Sequence, residues 1–132
     1  MSQKTKGVNA ERELIHLFWS TNKWAACRVA GSGSMHYPSA DIVASNGSRT
    51  LAIECKSSKD KYQYLDKQEI IDLNKFAEFF KAEALIAVRF ARESWIFLKP
   101  IDLEETEKNH VISLEKAKIR GFNFEKLVFN YQ

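Results

Sequence analysis

The sequence predicts an α/β chain, a single domain with a mixed central β-sheet flanked by helices. Three observations carry that expectation: apolar residues at helical spacing near the N-terminus, an Asn46-Gly47 pair between two strand-like runs, and a second helical pattern followed by further strands. With 132 residues, 45% of them hydrophobic, the chain can bury one core and is too short for two ordinary domains. Nothing reads as a linker, a repeat or a low-complexity tract, so residues 1–132 are taken together.

In order along the chain, Leu14, Ile15, Leu17 and Phe18 mark a helix from about Val8 to Thr21, with Asn9 as its expected N-cap. Trp24 to Val29 reads as a short strand, and the Gly- and Ser-rich stretch Ala30 to Pro38 as a mobile loop. Asp41 to Ser45 and Thr50 to Ser57 read as a hairpin turning at Asn46-Gly47. A polar stretch, Ser58 to Tyr64, precedes a helix from about Lys67 to Lys81, whose apolar face carries Ile70, Leu73, Phe76, Ala77 and Phe80. Ala84 to Phe90 and Ser94 to Leu98 are further strands, the second ended by Pro100. The acidic run Asp102 to Glu107 reads as a solvated turn. A short strand near Val111 and one or two short helices between Leu114 and Phe129 complete the pattern.

Composition removes several function classes. No apolar run approaches the ~18 residues of a membrane span, and the polar start, Met1 to Gly7, lacks the apolar stretch of a secretory signal. The expectation is a soluble, cytoplasmic protein. Cys27 and Cys55 make neither a disulfide framework nor a CxxC knuckle and read as reduced thiols. No ligand spacing links His16, His36 and His110, which argues against zinc. Ser32 and Ser34 have no partnered base in the sequence. Net charge is +3, unevenly spread: residues 1–68 hold ten Lys/Arg against six Asp/Glu, and residues 69–132 hold ten against eleven. Lys6, Arg12, Arg28, Lys59, Lys61 and Lys67 lie near the motifs below, a field suited to a polyanion.

The hairpin concentrates the chemistry. A two-residue turn pairs Ser45 with Ser48 and Ala44 with Arg49, which carries Asp41 opposite Ala52. Because strand side chains alternate, Asp41 then shares a face with Glu54 and Lys56, while Ile42, Ala44, Leu51, Ile53 and Cys55 form the apolar face. Glu54 is the diagonal neighbour of Asp41, about 7–8 Å away between backbones. Two such carboxylates can share one hard cation at about 2.1 Å, which relieves their mutual repulsion. Mg²⁺ suits the pair, with Mn²⁺ as a substitute, because it keeps waters and accepts a phosphate oxygen. Lys56 is placed to orient or deprotonate a bound water, or to neutralise the phosphate.

Pro38, Asp41 and Glu54-Cys55-Lys56 resemble the P-D…E-x-K signature of the restriction-endonuclease-like nuclease superfamily. Gly7-Val8-Asn9-Ala10-Glu11-Arg12-Glu13-Leu14, Arg28-Val29-Ala30-Gly31-Ser32, Asp41-Ile42-Val43 and Ile53-Glu54-Cys55-Lys56-Ser57 together resemble the archaeal Holliday-junction resolvases, cellular or viral. The resemblance covers most of residues 6–98. It implies a single restriction-endonuclease-like nuclease domain in which Asp41 and Glu54 bind metal, Glu11 completes the metal site, and Lys56 is the catalytic lysine. It further implies that Arg12 and Arg28 contact DNA, that Ser32 lies in a loop closing on the junction, and that a homodimer places paired nicks across a four-way junction. No membrane or small-molecule cofactor is expected. The departure is Pro38, which stands three residues before Asp41 and not beside it. Glu13 is an alternative to Glu11. Two other functions stay open: a nuclease of the same fold for ordinary or damaged duplex, and a DNA-binding module whose acids are structural.

Overall fold

The computed structural model describes residues 3–30 and 37–130. Helix α1 spans Gln3–Ser20, so it starts well before Asn9, which lies inside the helix and does not cap it. Residues 3–8 contain no proline to stop the helix, and it runs through Gly7 without a break. Leu14 and Phe18, one turn apart, are fully buried. Thr21 closes the helix, its hydroxyl donating to the Phe18 carbonyl at 2.7 Å and accepting from the Trp24 N–H at 3.1 Å.

The chain then lays down β1 (Ala25–Arg28), β2 (Ile42–Ser45) and β3 (Thr50–Ser58). After β4 (Tyr62–Asp66) and helix α2 (Lys67–Phe80) come β5 (Glu83–Phe90) and β6 (Ile96–Leu98). Five of these strands form a sheet in the order β1-β2-β3-β5-β6. Only β3 and β5 run parallel in it, with α2 in their crossover connection, so the sheet is mixed as predicted.

The β2–β3 turn differs from the expected one by two residues. Ser45 pairs with Thr50 and Ala44 with Leu51, leaving a four-residue loop. The Asn46 side-chain oxygen draws it together, accepting from the Ser48 and Arg49 N–H groups at 2.9 and 2.7 Å. Gly47 takes a φ of 95° there. A two-residue shift keeps every side chain on its face, so the alternation survives the change of register.

A second sheet was not anticipated. It has the order β4-β8-β7, with β7 at Glu104–Glu105 and β8 at Asn109–Ser113. Its middle strand, β8, is the short strand expected near Val111, while β4 and β7 occupy parts of the stretches read as polar connection and solvated turn. In β4 only Gln63 and Leu65 face inward, and a glutamine hides the period-2 signal; its amide donates to the Arg89 carbonyl at 3.3 Å. The chain ends in α3 (Leu114–Arg120) and a short turn of helix at Lys126–Asn130.

The large sheet carries a core on each face. On one side Leu14 and Phe18 of α1 pack with Ile42, Leu51, Ile53 and Phe97. On the other, Ile70, Leu73 and Ala77 of α2 pack with Ala52, Ile86 and Val88. Phe80, expected on the inner face of α2, is instead 62% exposed, and its ring stacks on Phe76 at 4.5 Å. The helix ends one residue later, with Lys81 left-handed at a φ of 52°, so Phe80 lies past the edge of the core. Among the described residues no helix is long and apolar enough to cross a membrane.

Gly121 shows how closely the chain leaving α3 packs on β6: a Cβ there would stand 2.4 Å from the Ile96 side chain and 2.9 Å from the Phe97 carbonyl oxygen. Gly121→Ala is expected to lower stability by about 1–3 kcal/mol in urea denaturation. Gly7→Ala, in open helical surroundings, is expected to raise it by about 0.5–1 kcal/mol.

Candidate active site

Asp41 sits one residue before β2, fastened by its backbone on both sides. Its carbonyl accepts from the Val29 N–H at 2.8 Å, and its own N–H donates to the Ile53 carbonyl at 2.9 Å. Its carboxylate accepts from the Cys55 N–H at 2.8 Å. Continuing the Ile42–Ile53 pairing by one step puts Asp41 directly opposite Glu54, nearer than the diagonal position expected, and the two carboxyl groups hydrogen-bond to each other. Glu54 and Lys56, two residues apart on β3, share the face that α2 covers. The Lys56 Nζ lies 2.7 Å from an oxygen of Glu69, in the first turn of α2. A cleft of about 200 Å³ opens here, lined by Ser39, Asp41, Glu54, Glu69 and Asp72.

Burial sets the electrostatics. It pushes Glu54 up to about 9, helped by the charges of Asp41 and Glu69 and opposed by Lys56. Burial also raises Asp41, against the Cys55 N–H, Lys56 and the bond from Glu54. The two acids therefore share a proton, which Glu54 keeps. For Lys56, burial alone would lower the pKa, but Glu69, Glu54 and Asp41 outweigh it and the group is raised. The Cys55 thiol is pushed well up by burial and by Asp41, Glu11 and Glu54, which makes it unreactive.

A proton held between two buried oxygen acids marks a place that a hard divalent cation can take, since the cation relieves the same repulsion and the donors are all oxygen. Among the described residues no three His, Cys, Asp or Glu are gathered tightly enough to enclose a metal unaided. Two carboxylates with water and phosphate match the Mg²⁺ style of ligation, and the residues fit the group. Glu11 stands apart from the pair. It lies on α1, which packs on the other face of the sheet, and its carboxylate accepts from Arg28 Nε at 3.1 Å. Burial and then Asp41 raise its pKa while Arg28 lowers it, so it senses the site electrostatically.

Beyond Lys56 lies a larger groove of about 770 Å³, whose lining includes Asn9, Glu13, Lys56, Lys59, Arg89 and Arg92. Arg89, near the end of β5, binds Glu13 at 2.5 Å and lies over the Trp95 ring. Arg92 holds a left-handed turn at a φ of 64°.

A family model described as archaeal Holliday junction resolvase (Hjc) matches residues 2–131. The chain belongs to that family. It is 41% identical over 130 residues to a crossover junction endodeoxyribonuclease Hjc of Archaeoglobus fulgidus, an alignment covering 93% of this chain and 95% of that protein. A crossover junction endodeoxyribonuclease Hjc of Methanocaldococcus jannaschii is 32% identical over 123 residues, covering 93% and 86%. The solved structure of Archaeoglobus fulgidus Hjc, described as a Holliday junction resolvase from an archaeal hyperthermophile, superposes with a TM-score of 0.85 at 39% identity, covering 92% of this chain and 98% of that one. The chain is a nuclease of this family, and nucleases of this kind use a divalent metal.

The remaining expected residues scatter around the family's fold. Lys59 and Lys61 are exposed and line a third cleft with Arg92. Arg12 is exposed on α1, and among the described residues it carries no ion pair. Arg28 is held by Glu11, and Lys67 by Glu105 at 3.1 Å, on the second sheet. Lys6 lies in the first turns of α1, and Ser32 falls outside the described residues. Sequence reasoning missed Glu69, Arg89 and Arg92. Asp66-x-x-Glu69 spells a capping box, which places Glu69 in the first turn of a helix. Arg89 and Arg92 left no such signal, because only the parallel β3–β5 pairing, Ser57 against Arg89, brings them to the site.

The raised Glu54 has a sign that can be measured. A carboxyl lifted from 4.5 to about 9 contributes its stability below pH 4.5 and loses it progressively as pH rises toward 9. In chelator-treated protein, Glu54→Gln is therefore expected to melt above wild type at pH 8, with the gap shrinking toward pH 5. An equal or lower melting temperature at pH 8 would contradict the assigned burial cost.

Proposed function

We propose that the protein is a structure-selective DNA endonuclease that resolves four-way junctions by paired phosphodiester hydrolysis as a homodimer. Residues 1–132 would form its single nuclease domain, acting in the cytoplasm. The observation that carries this reading is the hydrogen-bonded Asp41–Glu54 pair with Lys56 beside it, on one face, at the edge of a groove lined by cations. In the chemistry we infer, Asp41 and Glu54 hold Mg²⁺, or Mn²⁺ in its place. When bound, the cation supplies an acidified water and charge against the scissile phosphate. Lys56 steadies that water or a phosphate oxygen from the groove side. Glu11 is the further acid: when Arg28 turns to a phosphate, Glu11 is freed to order water near Asp41. Lys59, Arg89 and Arg92 take the backbone in the groove, with Lys6, Arg12, Arg28, Ser32, Lys61 and Lys67 as contacts along the arms.

Two equivalent strands to cut favour a two-fold dimer. The apolar surface suited to it lies at the C-terminal end of α2, where Phe79 and Phe80 are 83% and 62% exposed. The β5–β6 pairing, Ile86 with Leu98, brings Pro100 and the 87% exposed Ile101 to that same end. Such residues leave water only against a partner.

Cleavage of a synthetic junction beside linear duplex of the same sequence separates this function from that of a general duplex nuclease. The junction is expected to be nicked with Mg²⁺ and the duplex spared. Asp41→Asn and Glu54→Gln should each slow cutting by about 10³-fold or more, a few kcal/mol of lost barrier reduction, while junction binding persists. Wild-type protein that binds the junction but cuts it with neither Mg²⁺ nor Mn²⁺ would leave only a binding module with structural acids, and cutting by both variants at the wild-type rate would remove these acids from the reaction. Phe80→Ser, read by sedimentation, should shift the dimer toward monomer and turn paired nicks into single ones.

A further inference from the structure

We propose that Glu69 is a positioning residue for Lys56: one carboxylate oxygen locks the start of α2, and the other holds the lysine ammonium group beside the acid pair. The inference deepens the reading above and rests on Lys56 acting in cleavage.

The geometry divides the work of one side chain between two elements. Glu69 Oε1 accepts from the Asp66 N–H at 3.0 Å, while Asp66 Oδ1 accepts from the Glu69 N–H at 2.7 Å, which completes the capping box. Glu69 Oε2 lies 2.7 Å from Lys56 Nζ. Both side chains are mostly covered, at 29% and 27% exposure, so this pair is less screened than a surface bridge. A lysine stem must give up several rotamers to hold its ammonium group in one place. Here the partner is already fixed by the helix cap, so only the lysine has to be ordered.

The contact also settles a competition. An ammonium group next to Asp41 and Glu54 would otherwise bond to them and occupy the oxygens a cation needs. Drawn to Glu69, Lys56 stays near the pair without neutralising it. Glu69 lines the same cleft, but its two oxygens are engaged by the Asp66 N–H and the Lys56 ammonium group. Of the four acids around this small cleft, Asp41 and Glu54 form the pair open to a cation, Glu69 faces the lysine, and Asp72 accepts from the Gln68 amide at 2.8 Å.

Glu69→Gln separates the two tasks. Glutamine still offers one oxygen to the Asp66 N–H, and capping boxes accept Gln as well as Glu. Its other atom is an NH₂, a donor facing a donor, so the lysine contact is lost. Single-turnover junction cleavage at saturating Mg²⁺ is expected to fall by about 10- to 100-fold, the range for a lost charged hydrogen bond. Junction affinity and the Mg²⁺ concentration giving half the maximal rate should each move by less than about threefold. In a Lys56→Met background the same substitution should cost nothing further. In metal-free protein, the Lys56 ammonium NMR signal, sheltered from exchange by Glu69, should vanish in Glu69→Gln. Asp66→Ala, which removes the Asp66 carboxylate from the capping box but keeps the backbone N–H that holds Glu69, should lower the melting temperature and keep the rate within about threefold. A wild-type rate in Glu69→Gln, an additive loss in the Lys56→Met background, or a Mg²⁺ requirement that rises with the rate loss would each overturn the proposal. So would an Asp66→Ala rate as low as that of Glu69→Gln. If Lys56→Met itself cuts at the wild-type rate, the reading of Lys56 fails first, and separately.

Discussion

A carboxyl pair buried at the point where β2 begins and β3 leaves the core is the constraint to which the rest of the site answers. Ala52 and Ile53 have both faces covered, by α2 on one side and α1 on the other. One residue later the same strand carries Glu54, opposite Asp41. Neither acid can be fully ionised there without compensation, and burial is the largest cause of both shifts. The backbone meets part of the cost, with the Cys55 N–H aimed at Asp41. What remains is a shared proton, in the place a cation can take. The sheet thus holds two carboxyl groups opposite one another before any substrate arrives, and preorganisation of that kind is what the proposed metal-assisted hydrolysis asks of a protein.

The helices divide the chemistry between the two faces. α2 brings Glu69 and Asp72 to the acids, and α1 brings Glu11, tied to Arg28, and Glu13, tied to Arg89. Each carboxylate on α1 is thus paired with an arginine that could bind phosphate. Such exposed pairs hold little energy in water, so exchanging an acid for a phosphate costs little. The field of the groove is kept ready without an unpaired run of positive charge.

How much of this was legible in the sequence depends on the range of the interaction. The face shared by Asp41, Glu54 and Lys56 follows from period-2 alternation on either side of one turn. It survived a misjudged register because the error was two residues and not one. The turn was misjudged because the Asn46 side chain, and not the Asn46-Gly47 backbone alone, closes the loop. Helix α2 was legible through Ile70, Leu73 and Ala77, and the membership of Phe80 in its buried stripe was not, because periodicity does not say where a core ends. The second sheet was hidden by Gln63 and by the two glutamates of β7, residue types that strands disfavour and that only pairing with β8 explains. Arg89 and Arg92 belong to the site through a parallel pairing across a crossover, and no local pattern encodes that.

Lys56 is the hinge between the two clefts, since its stem lines the cationic groove and its ammonium group reaches Glu69 beside the acids. In the function proposed, a DNA backbone following Lys59, Arg89 and Arg92 would be attracted all along the groove, but the acids would repel it wherever no cation intervenes. Its closest approach to Asp41 and Glu54 would be at Lys56, whose ammonium group lies 2.7 Å from Glu69 at the edge of the acid cleft and would offset that repulsion. On the function proposed, binding and cutting would be separable in this architecture: the groove cations would set affinity and its steep fall with salt. The acid pair and its lysine would then determine which of the bound phosphates can react.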